Sequence, residues 1–139
     1  MGYEIPEDHH VPLATTENEL GYHFAKAMNA TCERIHNSCV RAGWWPENKE
    51  ERNVGEILCL IHSEISEAME GDRKDLMDDH LPHRKMMEVE LADACIRIFD
   101  LAAAKGFDLG GAIAEKFEYN QTRADHKLEN RAKPGGKKY

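Results

Sequence analysis

A chain of 139 residues, 41% hydrophobic and 32% charged, has the length of one domain and the composition of an ordinary globular protein. Its net charge of -8 argues against a nucleic-acid partner, which would call for a basic stripe, and no apolar run approaches the roughly 18 residues of a membrane span. The opening MGYEIPEDHH lacks the basic and apolar regions of a signal peptide, and Cys32, Cys39, Cys59 and Cys95 have no zinc-like spacing, so a cytoplasmic protein with free thiols is expected.

Residues 1–15 read as an extended arm. Thr16 followed by Glu19 forms a capping box, and Leu20, Phe24, Ala27, Met28, Thr31, Ile35, Cys39 and Ala42 then make one helical stripe that Gly43 closes. Gly43-Trp44-Trp45-Pro46 is a loop. A second helix is expected from about Asn53 to Met69, ending at Gly71, followed by a charged connector from Asp72 to Arg84. The third spans Lys85 to Lys105 and stops at Gly106. The fourth starts on Asp108 as N-cap and runs to about Asn130. No strand-like alternation and no repeat occurs. The expected fold is an all-α four-helix bundle, with a helical domain over 16–130 and a basic flexible tail over 131–139.

Acids stand where apolar residues belong. With Ile57 at zero, the second helix places Ile57, Leu60, Ile61, Ile65 and Ala68 on one arc; Glu64 falls inside it at about 340° and Glu67 on its edge at about 280°. Glu70 lies outside, on the solvated side. The third helix is apolar nearly all round, with Glu90, Asp93, Arg97 and Asp100 crowded into one strip. Two readings of that strip are open: a solvent face with Asp93 and Arg97 as an ordinary ion pair, or a polar interior site. Antiparallel packing can bring Glu64, Glu67, Glu90 and Asp93 together. Four converging carboxylates repel one another unless a cation sits among them, and oxygen-only ligands select a hard ion, Mg2+ or Mn2+. On the fourth helix Lys116, Asn120 and Arg123 flank the stripe of Ile113, Phe117 and Ala124; such a row can hold phosphate oxygens or simply be a solvated edge.

Glu64-x-x-Glu67, 22 intervening residues, and Glu90-x-x-Asp93, together with Lys116-x-x-x-Asn120-x-x-Arg123, resemble the signature of the all-α nucleotide pyrophosphatases, which include MazG proteins, dimeric dUTPases and dCTP pyrophosphatases. The likeness covers residues from about 20 to 127 and is strongest to short, single-module MazG-like proteins of the phage type. It implies a magnesium-dependent nucleoside triphosphate pyrophosphohydrolase, in which water attacks the α-phosphorus and pyrophosphate leaves. Glu64, Glu67, Glu90 and Asp93 would be catalytic and metal-binding, and Lys116, Asn120 and Arg123 phosphate-binding. Where relatives often carry Glu-Glu-x-x-Glu, this chain has Ser63-Glu64-Ile65-Ser66-Glu67. The general base is then Glu64 or Glu67, with Asp100 a further alternative.

The resemblance also implies a base pocket on the first helix and the loop after it, drawing on His36, Asn37, Trp44 and Trp45, with dGTP or GTP the expected substrate and dUTP or dCTP the alternative. It implies a homodimer or homotetramer. Competing readings are a di-iron carboxylate protein, for which the expected helices carry only Glu33-x-x-His36, and a regulatory module that binds nucleotides without cutting them. Asp78, Asp79, His80 and His83 could form a small separate metal site, or belong to a connector covering the main site or a neighbouring subunit.

Overall fold

The computed structural model describes residues 17–124 and 127–135, with side chains from residue 21 onward. The expected arm, the Thr16 cap and the end of the tail lie outside them. The described chain is an all-α bundle: α1 (Glu17–Arg41), a 3-10 turn (Lys49–Glu51), α2 (Val54–Lys74), α3 (Met86–Ala104), α4 (Leu109–Thr122) and a short α5 (Leu128–Arg131). Among the described residues the only β-type pairing is an isolated bridge between Met77 and Lys85.

Gly43 ends α1 as expected. It sits at φ 81°, its N–H donates to Val40 O, and Trp44 N–H reaches back to Cys39 O. Gly106 does the same for α3 at φ 66°, with Phe107 N–H on Ala102 O. Asn53 and Asp108 cap α2 and α4, accepting from Glu56 N and Gly111 N.

Two boundaries differ from expectation. Gly71 does not stop the second helix, which continues to Lys74 and ends on Asp75 in the left-handed region. Gly71 is buried because a Cβ there would stand 2.9 Å from Met86 Cβ, so its small size lets the start of α3 fold back over the end of α2. The fourth helix stops at Thr122, since Arg123 is extended, and α5 follows as a separate turn.

Packing runs through α3, which lies against α2 on one side and α1 on the other, while α4 packs on α1. Small residues set these approaches: Ala68, Ala94 and Ala102 are buried, and the Gly110 backbone lies so near Ala25 that a Cβ would meet Ala25 O at 2.4 Å. Asn29 ties the α1–α4 junction, accepting from Gly110 N at 2.9 Å and donating to Asp108 Oδ1 at 2.6 Å. Among the described residues no helix is long and apolar enough to cross a membrane.

Candidate metal centre and adjoining cleft

The acid strip of α3 faces α2. Glu64 from α2 and Glu90 and Asp93 from α3 bring carboxylate oxygens within 4.8 Å of one another. Among the described residues they are the only such metal-capable group. Glu64 is buried; Glu90 and Asp93 are half-buried. At that separation each ionised pair repels by about 3 kcal/mol in a protein-like dielectric, so the group resists full ionisation. Glu90 registers this: burial first, then a hydrogen bond with Glu64, then the charges of Glu67, Glu64 and Asp93 push its carboxyl up to about 7.

Glu67 belongs to the site electrostatically but is exposed, and it makes no hydrogen bond or ion pair among the described residues. The helical projection put it at the rim of the arc, which is where it stands. Glu70 lies further round and is held by Arg73 and Lys74, so its carboxyl is lowered, chiefly by the hydrogen bond from Lys74.

Arg97 is not the partner of Asp93. Its Nε donates to Glu64 Oε1 at 2.7 Å, bridging α3 to α2. The i,i+4 spacing allows the Asp93 pair, but the buried carboxylate across the helix interface gains more from the guanidinium because it has lost its water.

Beside the acids lies a cleft of about 400 Å³ lined by residues of α1, the Trp44–Trp45 loop, α2 and α3, with Asp93, Arg97 and Asp100 along one wall. Its far end is a connected polar network. Asp100 accepts from Trp45 Nε1 at 2.9 and 3.0 Å and from His36 Nδ1 at 2.7 Å. Lys49 Nζ, a donor only, lies 2.7 Å from His36 Nε2, so Nδ1 is the ring nitrogen that donates to Asp100. The His36 and Trp45 rings also meet edge to face at 5.2 Å. Burial and then Asp100 push the Cys39 thiol up, so it is held as a thiol here.

The residues expected to bind a base therefore divide. His36 and Trp45 are buried and their polar atoms are engaged with Asp100 and Lys49; Trp45 still lends the cleft an apolar wall. Trp44 is 67% exposed and lines the cleft with its ring available. Asn37 is exposed and is not a lining residue.

The basic row stands apart. Lys116, Asn120 and Arg123 lie on or just after α4, which packs against α1, and none of them lines the cleft or joins the acid group. Lys116 and Arg123 lie over the Tyr119 ring, at 4.6 and 5.8 Å, and Asn120 Oδ1 is buried with no hydrogen-bond partner among the described residues. In the connector, Asp78 is buried and its carboxylate accepts from His80 N at 3.0 Å and from Leu81 N, closing a turn; His80 and His83 are exposed.

Sequence reasoning read Glu90, Asp93, Arg97 and Asp100 as one strip but missed Lys49, which comes from a 3-10 turn and had no periodic signal. Comparison with protein families, with curated proteins and with solved structures finds no match to this chain.

Proposed function

We propose that this chain is a divalent-metal-dependent nucleoside triphosphate pyrophosphohydrolase of the all-α MazG-like kind, forming a nucleoside monophosphate and pyrophosphate. The observation that carries the reading is the convergence of Glu64, Glu90 and Asp93 within 4.8 Å beside a cleft with an exposed tryptophan face. The donor set fits the ion. It is oxygen-only, partly desolvated and short of positive charge, and Glu90 near 7 is a carboxylate waiting for a cation rather than one already satisfied. Glu64, Glu90 and Asp93, with Glu67 at the rim, would hold Mg2+ or Mn2+. When bound, such an ion neutralises phosphate charge and makes water a better nucleophile.

The chain's own groups do the rest. Glu67, exposed and unengaged, is the carboxylate free to take a proton from the attacking water, whereas Glu64 is already shared between Arg97 and Glu90. Trp44 offers a face on which a nucleobase can stack, and the Asp100 network holds the neighbouring Trp45 in place to shape the pocket. Guanine nucleotides are the first substrates to test, ahead of dUTP and dCTP.

The family resemblance further implies a homodimer or homotetramer. Supporting it, Leu58, Ile65 and Met69 on α2 and Met87, Leu91 and Ile98 on α3 are exposed, each set falling on one narrow stripe of its helix. A second copy would cover such stripes. In this reading Lys116, Asn120 and Arg123 reach phosphate only if assembly brings α4 of one copy to the cleft of another.

One observation favours a second reading, nucleotide binding without turnover. Ser63, where relatives often carry a glutamate, turns its hydroxyl onto Leu60 O at 2.7 Å and supplies no ligand charge. Incubation with the common ribo- and deoxyribonucleoside triphosphates, with magnesium or with chelator, separates the two. Metal-dependent release of pyrophosphate with monophosphate supports hydrolysis; tight binding of a nucleotide with no product supports the second reading.

A further inference from the structure

A carboxylate cage for triphosphate needs positive charge on the side away from the ion, and the α4 row does not reach this cleft within one chain. Two basic residues line the cleft, Arg52 and Arg97. Only Arg97 also touches the acid group, through Nε to Glu64 Oε1 at 2.7 Å. Its terminal nitrogens make no hydrogen bond among the described residues, and its side chain is 41% exposed while that of Glu64 is 9%. Arg97 thus lies on the boundary, its Nε on the buried carboxylate and its side chain among the residues that line the cleft. Two parallel N–H groups in a fixed plane match a phosphate better than an ammonium does.

We propose that Arg97 is a phosphate-binding residue, a clasp shared between the acid cluster and the cleft. This rests on the pyrophosphohydrolase reading and adds a residue the resemblance did not assign. Without ligand, Arg97 neutralises Glu64 and makes its burial tolerable. An anionic phosphate entering the cleft competes for the same guanidinium, loosens it from Glu64 and leaves a carboxylate oxygen for the cation. Phosphate and metal therefore help each other bind, each by the same factor.

The test uses the full chain and two variants, Arg97→Met, which keeps length and loses charge, and Arg97→Lys, which keeps charge and loses the fork. Calorimetry measures Mn2+ binding alone, and tryptophan fluorescence measures inorganic pyrophosphate binding at fixed Mg2+. Arg97→Met is expected to bind Mn2+ as tightly as the wild type or more so, and to bind pyrophosphate roughly ten- to hundredfold more weakly, the scale of a lost charge-assisted contact. Arg97→Lys should keep the fold and recover only part of the pyrophosphate affinity, so it serves as the test should Arg97→Met melt at assay temperature. Pyrophosphate binding within twofold of wild type in either variant, or weaker Mn2+ binding in Arg97→Met, overturns the clasp alone. A wild type that binds neither Mn2+ nor pyrophosphate overturns the metal reading beneath it.

Discussion

Two polar groups lie along one wall of the same cleft, and they are built to opposite rules. Around Asp100 each charge or dipole has an answer: two donors meet the carboxylate, and the imidazole between Asp100 and Lys49 uses both nitrogens. Around Glu90 the neighbours are other carboxylates, and among the described residues one guanidinium, on Glu64, is the opposing charge that touches the group. Satisfied buried networks hold a fold in one shape, whereas an unsatisfied one is retained only where something from outside completes it. In the proposed reading the Trp45 end is scaffold and the Glu90 end is the site that a cation completes.

The largest effect should come from the unsatisfied end. Asp93→Asn keeps shape and removes one ligand charge, so pyrophosphate release should fall on the order of a hundredfold or more, with the helical circular-dichroism spectrum unchanged. Glu67→Gln should lose activity likewise. The satisfied end should respond through stability. Asp100→Ala strands Trp45 Nε1 and His36 Nδ1 and should cost about 2–5 kcal/mol in urea unfolding. If Asp93→Asn unfolded the protein while Asp100→Ala left its stability intact, the assignment of scaffold and site would be reversed.

A pH series sharpens the contrast. Because the folded state raises the Glu90 carboxyl from its ordinary value of 4.5 to about 7, the folded chain holds a proton there that the unfolded chain releases. Stability without metal should therefore fall as pH rises from about 4.5 through 7 and stay low above it. Glu90→Gln should flatten that slope and raise the melting temperature at pH 8, read by thermal melts in chelator. The smallest effect belongs to Glu70→Gln, which leaves turnover near wild type because Glu70 is engaged with Arg73 and Lys74 outside the site.

Most of the fold was legible because its signals are local: apolar spacing for four long helices, Asp108 as a cap, Gly43 and Gly106 as stops. Gly71 misled because a glycine wanted for close packing looks like one wanted for a turn. Within the site, the helical projection placed Glu64 inward and Glu67 at the rim, since the angle between them follows from helix geometry alone. The pairing of Arg97 with Glu64 rather than Asp93 was not legible. It depends on how α2 and α3 are set against each other, which no single helix encodes. The same limit applies to Lys116, Asn120 and Arg123, whose side-chain row was readable but whose distance from the acids was decided by α4 packing on α1.

The central claim, that the acids of α2 and α3 form a site for a hard cation, is tested most directly by thermal melts of wild type and Asp93→Asn at pH 8 across a magnesium titration. The wild type should gain about 2.7 kcal/mol of stability when magnesium reaches a hundred times its dissociation constant, with the gain rising logarithmically beyond. Asp93→Asn, already relieved of one repelling charge, should start more stable in chelator and gain little. Equal magnesium shifts in the two proteins, or none in either, would contradict the account.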